Sequence, residues 1–245
     1  MHRASSYINS EFPGNSELKP LSATQARALR YALNEDALSY IYSGAVSLAE
    51  AITGTDNSAF SWSAVKAYYS TFYMLRALLA LEGWAILYRG SKPFIAEARS
   101  GAEIRKSKGN THEIVLETFS GKFPSHWLLS QEISSEQPLE WMRHRREEAN
   151  YNRARFIEPD VPAQFKEIKS LGIRKAIGAY YADTYYAFDP DHSILAYPIA
   201  TLRHTLDRLS TTTSFITPDD ARFISTLCKD KDGPIVTFSS LLAPR

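Results

Sequence analysis

The sequence predicts an all-α protein built on an antiparallel helical bundle, and three observations carry that reading. The first is the stretch 60–84, FSWSAVKAYYSTFYMLRALLALEGW. At about 100° per residue, Val65, Tyr68, Phe72, Leu75 and Leu79 fall in one band, and Trp62, Tyr69 and Tyr73 widen it on one flank. A helix apolar around most of its circumference has to be covered by other helices. The second is the brevity of the link GTDNSA to the preceding helical pattern, which makes the pair an antiparallel hairpin. The third is composition: 245 residues with 44% hydrophobic and 12% aromatic content are ample for a buried core without staples.

The elements follow in order. Residues 1–21, with Pro13, Gly14 and Pro20, read as an extended N-terminal arm. Ser22 and Gln25 form a capping-box signal, after which Leu29, Leu33, Tyr40, Ile41, Leu48 and Ile52 keep helical spacing up to the turn at Gly54. After the central helix, residues 85–109 mix a brief apolar run with Gly90, Pro93, Gly101 and Gly109 and read as an insert or loop. Thr111 caps a short helix to Phe119. Residues 126–136 continue helically, and Pro138 opens a helix to about Arg155 whose inward face carries Leu139, Met142 and Ala149. Arg146 and Asn150 project onto that same apolar face, four residues apart and so side by side. Pro159 and Pro162 end the helix. Residues 22–158 are thus a bundle, and 159–245 a helical C-terminal extension packed on it. The extension holds a tyrosine-rich helix from Phe165 to Phe188, a helix from Pro198 to Leu209, the separating run TTTSF, and a last helix opened by Thr217, Pro218, Asp219 and Asp220. The tail after Leu227 reads as a short strand or irregular chain.

Charge and motifs exclude several function classes. Lys plus Arg number 28 against 27 for Asp plus Glu, so no global field advertises a polyanionic or membrane partner. The single cysteine, Cys228, cannot form an internal disulfide or a thiol zinc cage and fits a reducing compartment. No apolar run has the length of a signal peptide or membrane span, so a soluble, cytoplasmic protein with no membrane partner is expected. Glycine-rich phosphate loops, HExxH, GxSxG and paired CxxC are absent. Asp189, Asp191 and His192 read as a capped turn rather than a metal site, and no metal or other cofactor is expected.

Local charge is more informative. The insert gathers Arg89, Lys92, Arg99, Arg105, Lys106 and Lys108 against only Glu97 and Glu103. That is either a solvated loop or a contact zone for a polyanion, RNA phosphates being the natural choice. Arg76 projects into the most aromatic face of the central helix, as an ion-paired structural arginine or an anion-facing residue. Arg143 and Arg145 read as solvated, and enlarge a phosphate-facing surface where their helix borders a groove.

In order and separation, YYSTFYMLRALLALEG, KGNTHEIVLETF and the run Arg146-Glu-Glu-Ala-Asn150-Tyr151 resemble the second helix, the third segment and an RxxADY variant of the late helix of the HEPN superfamily. The resemblance covers about residues 22–157 and implies a HEPN-like bundle. It further implies a metal-independent endoribonuclease or RNA-targeting toxin of a prokaryotic defence or toxin–antitoxin system. Such a protein acts as a homodimer, on RNA, with an antitoxin or defence-system protein as a possible partner. Carried onto this chain, Arg146 is the phosphate clamp, and Asn150 and Tyr151 orient the scissile nucleotide. The family's histidine position falls on Tyr151, a departure, because a phenol with a reference pKa of about 10 is a poor base. His144, within about 20° of Tyr151 on an ideal helix, or His112 would then supply proton transfer, unless these are surface and helix-start residues. Arg76, Arg105, Lys106, Lys108 and Arg143 are the RNA-binding candidates. The alternative is a non-catalytic HEPN-like module that binds a protein partner or a nucleotide, with Arg146 and Asn150 fixing helix register.

Overall fold

The computed structural model describes residues 2–14, 16–152, 154–183, 187–209 and 216–242. The described chain is mostly helical, with ten α-helices and two small antiparallel sheets. It divides into two compact units, the first made of Met1–Ile41 and Leu75–Phe123, the second of Tyr42–Met74 and Pro124–Arg245. Helices α2 (Ala23–Asp56) and α3 (Phe60–Leu81) each contribute a stretch to both.

The start of α2 is the one the sequence predicts: the Gln25 amide donates to Ser22 Oγ, and the Ser22 amide donates to Gln25 Oε1. The predicted apolar band of α3 is the buried one, Val65, Tyr68, Phe72, Leu75 and Leu79 all being 5% exposed or less. Trp62, on the flank, is more than half exposed at 54%.

In the first unit, Arg3–Glu11 form helix α1 where the sequence predicts an extended arm. Its cap is not local. The Asp36 carboxylate, on α2, accepts from the Arg3 and Ala4 amides at 2.7 and 2.9 Å, and Ala4, Ile8 and Phe12 are buried. The predicted insert is a sheet. Gly83, at φ +86°, turns the chain out of α3 into β1 (Trp84–Arg89), which pairs with β2 (Lys92–Glu97), and β2 with the two-residue β3 (Arg105–Lys106). Side chains of α1 reach β1: Ser5 Oγ accepts from the Tyr88 amide, and Asn9 donates to the Tyr88 carbonyl. Helix α4 (Thr111–Lys122) is capped by Asn110 rather than Thr111, because Asn110 and Glu113 close a full capping box. The Tyr88 hydroxyl meets Thr111 Oγ1 at 2.6 Å.

In the second unit, residues 126–136 form a short 3-10 turn, Trp127–Leu129, and a tight reversal in which Ser134 and Ser135 have positive φ, not a helix. Helix α5 (Pro138–Asn150) opens on Pro138 as predicted and stops five residues before Arg155. The predicted Phe165–Phe188 helix is two, α6 (Ala163–Leu171) and α7 (Ile173–Ala182), because Gly172 at φ +83° breaks the ladder between them. The tyrosines at 185 and 186 and the run TTTSF lie outside the described residues. Helix α8 (Ser193–Asp207) starts five residues before Pro198, at a turn where Asp189 O accepts from the Ser193 amide and hydroxyl. Pro198 lies inside the helix despite its missing amide, on a stretch buried from Ser193 to Leu202. Helix α9 (Pro218–Leu227) has the predicted start, a capping box of Thr217 and Asp220. A hairpin, β4 (Lys229–Asp230) with β5 (Gly233–Pro234), and α10 (Val236–Leu241) follow. Arg174 of α7 grips Asp230 through two hydrogen bonds of 2.6 Å.

Candidate functional site

Five of the candidate residues belong to α5 or its cap, in the second unit. His144 Nδ1 donates to the Glu136 carboxylate, which can only accept, so in the neutral imidazole the lone pair lies on Nε2. That nitrogen faces Arg143 Nη2 at 3.4 Å. All three groups reach solvent, with side-chain exposures of 43% for His144 and 31% for both Glu136 and Arg143. Arg143 is itself held by Glu140 at 2.5–2.9 Å and by Glu147 at 3.3 Å.

Arg146 is the most buried arginine of α5, its side chain only 13% exposed. Its guanidinium carbon lies 5.3 Å from the Tyr68 ring centre and 5.6 Å from that of Tyr151, and its nearest carboxylate, Glu147, is 3.8 Å away. Burial pushes the Tyr68 hydroxyl far above its ordinary range, with Arg146 pulling the other way. Arg146 Nε is buried with no hydrogen-bond partner among the described residues. Asn150 ends α5, and Tyr151 is its C-cap, 70% exposed, with its amide donating to the Glu147 carbonyl.

The remaining candidates belong to the first unit. His112 is the second residue of α4, its amide donating to Asn110 Oδ1 at 2.9 Å, and so sits at a helix start. Arg76 is buried at 8% exposure rather than turned to a surface. Its guanidinium lies 4.2 Å over the Tyr40 ring, and its Nη2 donates at 2.6 Å to the Tyr40 hydroxyl, which also meets His2 Nδ1 at 3.0 Å. Arg105 and Lys106 line a groove of about 700 Å³ over the sheet and α4, shared with Arg99 and Lys122. Glu97 and Glu103 neutralise Arg99 and Arg105 at 3.1 and 3.2 Å, and Lys122 covers the Trp84 ring at 3.9 Å. Lys108 is exposed in the loop before α4.

Two features go beyond the sequence reading. Arg145, read as solvated or as part of a phosphate-facing surface where its helix borders a groove, stands at the wall of a cavity of about 260 Å³ in the second unit. His126 and His204 meet Nε2 to Nε2 at 3.1 Å, while Trp127 Nε1–H donates to His204 Nδ1 at 2.9 Å. Burial, then the Arg208 charge, lowers the His204 pKa. The sequence spacing of 78 residues gives no hint of that pairing.

No group of three or more His, Cys, Asp and Glu side chains is arranged to hold a metal ion among the described residues. Nor is any described helix long and apolar enough to cross a membrane. Comparison with protein-family models, with curated proteins and with solved structures finds no match to this chain.

Proposed function

We propose that the chain is a HEPN-like helical module acting as a metal-independent endoribonuclease, in the manner of RNA-targeting toxins of prokaryotic defence systems. The observation that supports it is the Glu136–His144 pair beside Arg143. A carboxylate that fixes one imidazole nitrogen as donor leaves the lone pair of the other to accept a proton. His144 Nε2 takes the proton of a ribose 2′-hydroxyl, the 2′-oxygen bonds to the adjacent phosphorus, and the bond to the 5′-oxygen breaks. The imidazolium returns its proton to that leaving oxygen. Arg143, next to Nε2, balances charge on the non-bridging oxygens. The geometry favours Arg143 over Arg146 for that task, because Arg146 is held between Tyr68 and Tyr151. The test is incubation of single-stranded RNA with the protein in EDTA. Cleavage leaving 2′,3′-cyclic phosphate ends, lost in His144→Gln, supports the reading.

A second reading, a non-catalytic HEPN-like module for a protein partner or a nucleotide, has its own support. Each arginine of α5 faces a glutamate of the same helix: Arg143 with Glu140 and Glu147, Arg145 with Glu148, Arg146 with Glu147. Little uncompensated positive charge is left to hold a nucleic-acid backbone. No cleavage between pH 5 and 9 would select this reading.

A further inference from the structure

A cavity of about 260 Å³ opens in the second unit, where the start of α3, the end of α5 and the start of α6 come together. Its apolar walls include Phe60 and Phe165, both buried with rings 5.1 Å apart, and Phe156, which is 49% exposed and meets Trp62 edge-on. Its charged wall is Arg145, Arg155 and Glu148, one positive charge in excess. Arg145 is under-bonded. Among the described residues it meets only Glu148, at 3.2 Å, and the Trp141 ring, and its Nε is buried with no hydrogen-bond partner. Arg174, by contrast, makes four hydrogen bonds.

The chain already fills the nearest anion site. Glu158 accepts from the Ser61 amide at 2.6 Å and the Ser61 hydroxyl at 2.8 Å, occupying the first turn of α3. Burial alone would raise its carboxyl, and the bonds from Ser61 together with its own backbone amide outweigh that and hold it below the usual range. An incoming anion is therefore left to Arg145 and Arg155, with its apolar body against Phe156.

We infer that this cavity is a binding site for a small organic anion carrying one flat ring, such as an aryl phosphate or aryl carboxylate. Size decides the ring count: small-molecule sites run from about 300 to 1,000 Å³, so this cavity suits a single ring rather than a dinucleotide. The ring packs against Phe156, the exposed phenylalanine of the cavity wall, and the anionic group meets the guanidinium donors that Glu148 does not use. The inference is independent of RNA cleavage, which is assigned to other side chains.

Isothermal titration of the full chain with phenyl phosphate and, separately, with benzoate tests it, with inorganic phosphate and phenol as half-ligands. Saturable binding of either aryl anion, at least tenfold tighter than both half-ligands, is expected, and the arm that binds tells phosphate from carboxylate. Arg155→Gln, at an exposed position, should weaken it about tenfold or more with an unchanged melting temperature, and Ala149→Leu, which adds bulk at the wall, should weaken it too. Binding of neither anion, inorganic phosphate binding as tightly as phenyl phosphate, or full affinity in both variants would overturn the assignment.

Discussion

Glu136 holds His144 by Nδ1 across eight residues of sequence, from a tight turn to the second turn of α5. The turn depends on Ser134 and Ser135 in left-handed backbone, so the carboxylate is delivered by local geometry rather than by helix periodicity. Under the nuclease reading, His144→Gln should lower the cleavage rate by about two to four orders of magnitude. Glu136→Gln should cost less, since the imidazole remains but loses its fixed tautomer. The check is single-turnover cleavage of a labelled RNA in EDTA. Equal rates for wild type and His144→Gln would remove His144 from the chemistry.

Arg146 is a packing element of α5 against Tyr68. Arg146→Ala removes a guanidinium stacked on one buried and one exposed ring together with its aliphatic stem, and should cost about 1–3 kcal/mol. At about 2–4 °C per kcal/mol for a chain of this size, thermal denaturation should register the loss clearly. Tyr68→Phe keeps the ring and should cost much less.

Stability should fall on mild acidification. His204 accepts the Trp127 indole N–H at Nδ1, and His2 is packed against Tyr40 near Arg76, so in both burial heads the causes that lower the pKa. With the folded value below the unfolded one, the unfolded chain binds more protons. These histidines therefore contribute stability that is fully present above about pH 6.5 and is lost as pH falls through and below that value. Melting temperatures from pH 8 to pH 5 should show the decline, and His204→Asn should make it shallower.

Cys228 is buried, and burial pushes its thiol up to about 12. It should react with a disulfide reagent at neutral pH only on unfolding. Rapid labelling of the native chain would place this end of α9 in a locally opened state.

The legibility of the fold follows the range of the forces that make it. Ser22 with Gln25, and Thr217 with Asp220, close their caps within three residues, and the buried band of α3 repeats within two turns, so the sequence displays all of them. Helix α1 is invisible for the opposite reason, because the group that accepts its first amides, Asp36, is more than thirty residues away. The single break at Gly172 hides in a tyrosine-rich run whose apolar spacing continues past it. At the site, the alignment of Arg146 and Asn150 on one face of α5 is readable from their spacing, but the partner that occupies Arg146, Tyr68, comes from another helix. For Arg145 the sequence leaves open solvent or a groove wall, and the cavity is there because the segment after α5 folds back beside it.

The reach of Ser5 and Asn9 to the main chain of Tyr88 limits what the small sheet can recruit. A bare outer strand offers amides and carbonyls to any extended peptide, including a second copy of the same chain. Here both main-chain groups of Tyr88 are taken by α1, so growth on that side would first require α1 to peel away and leave the Asp36 carboxylate without its two amides. The opposite side presents only two residues, the ion-paired Arg105 and the cationic Lys106, both exposed, a poor template for further pairing. The first unit is thereby guarded against self-association through its sheet by a helix on one flank and by charge on the other.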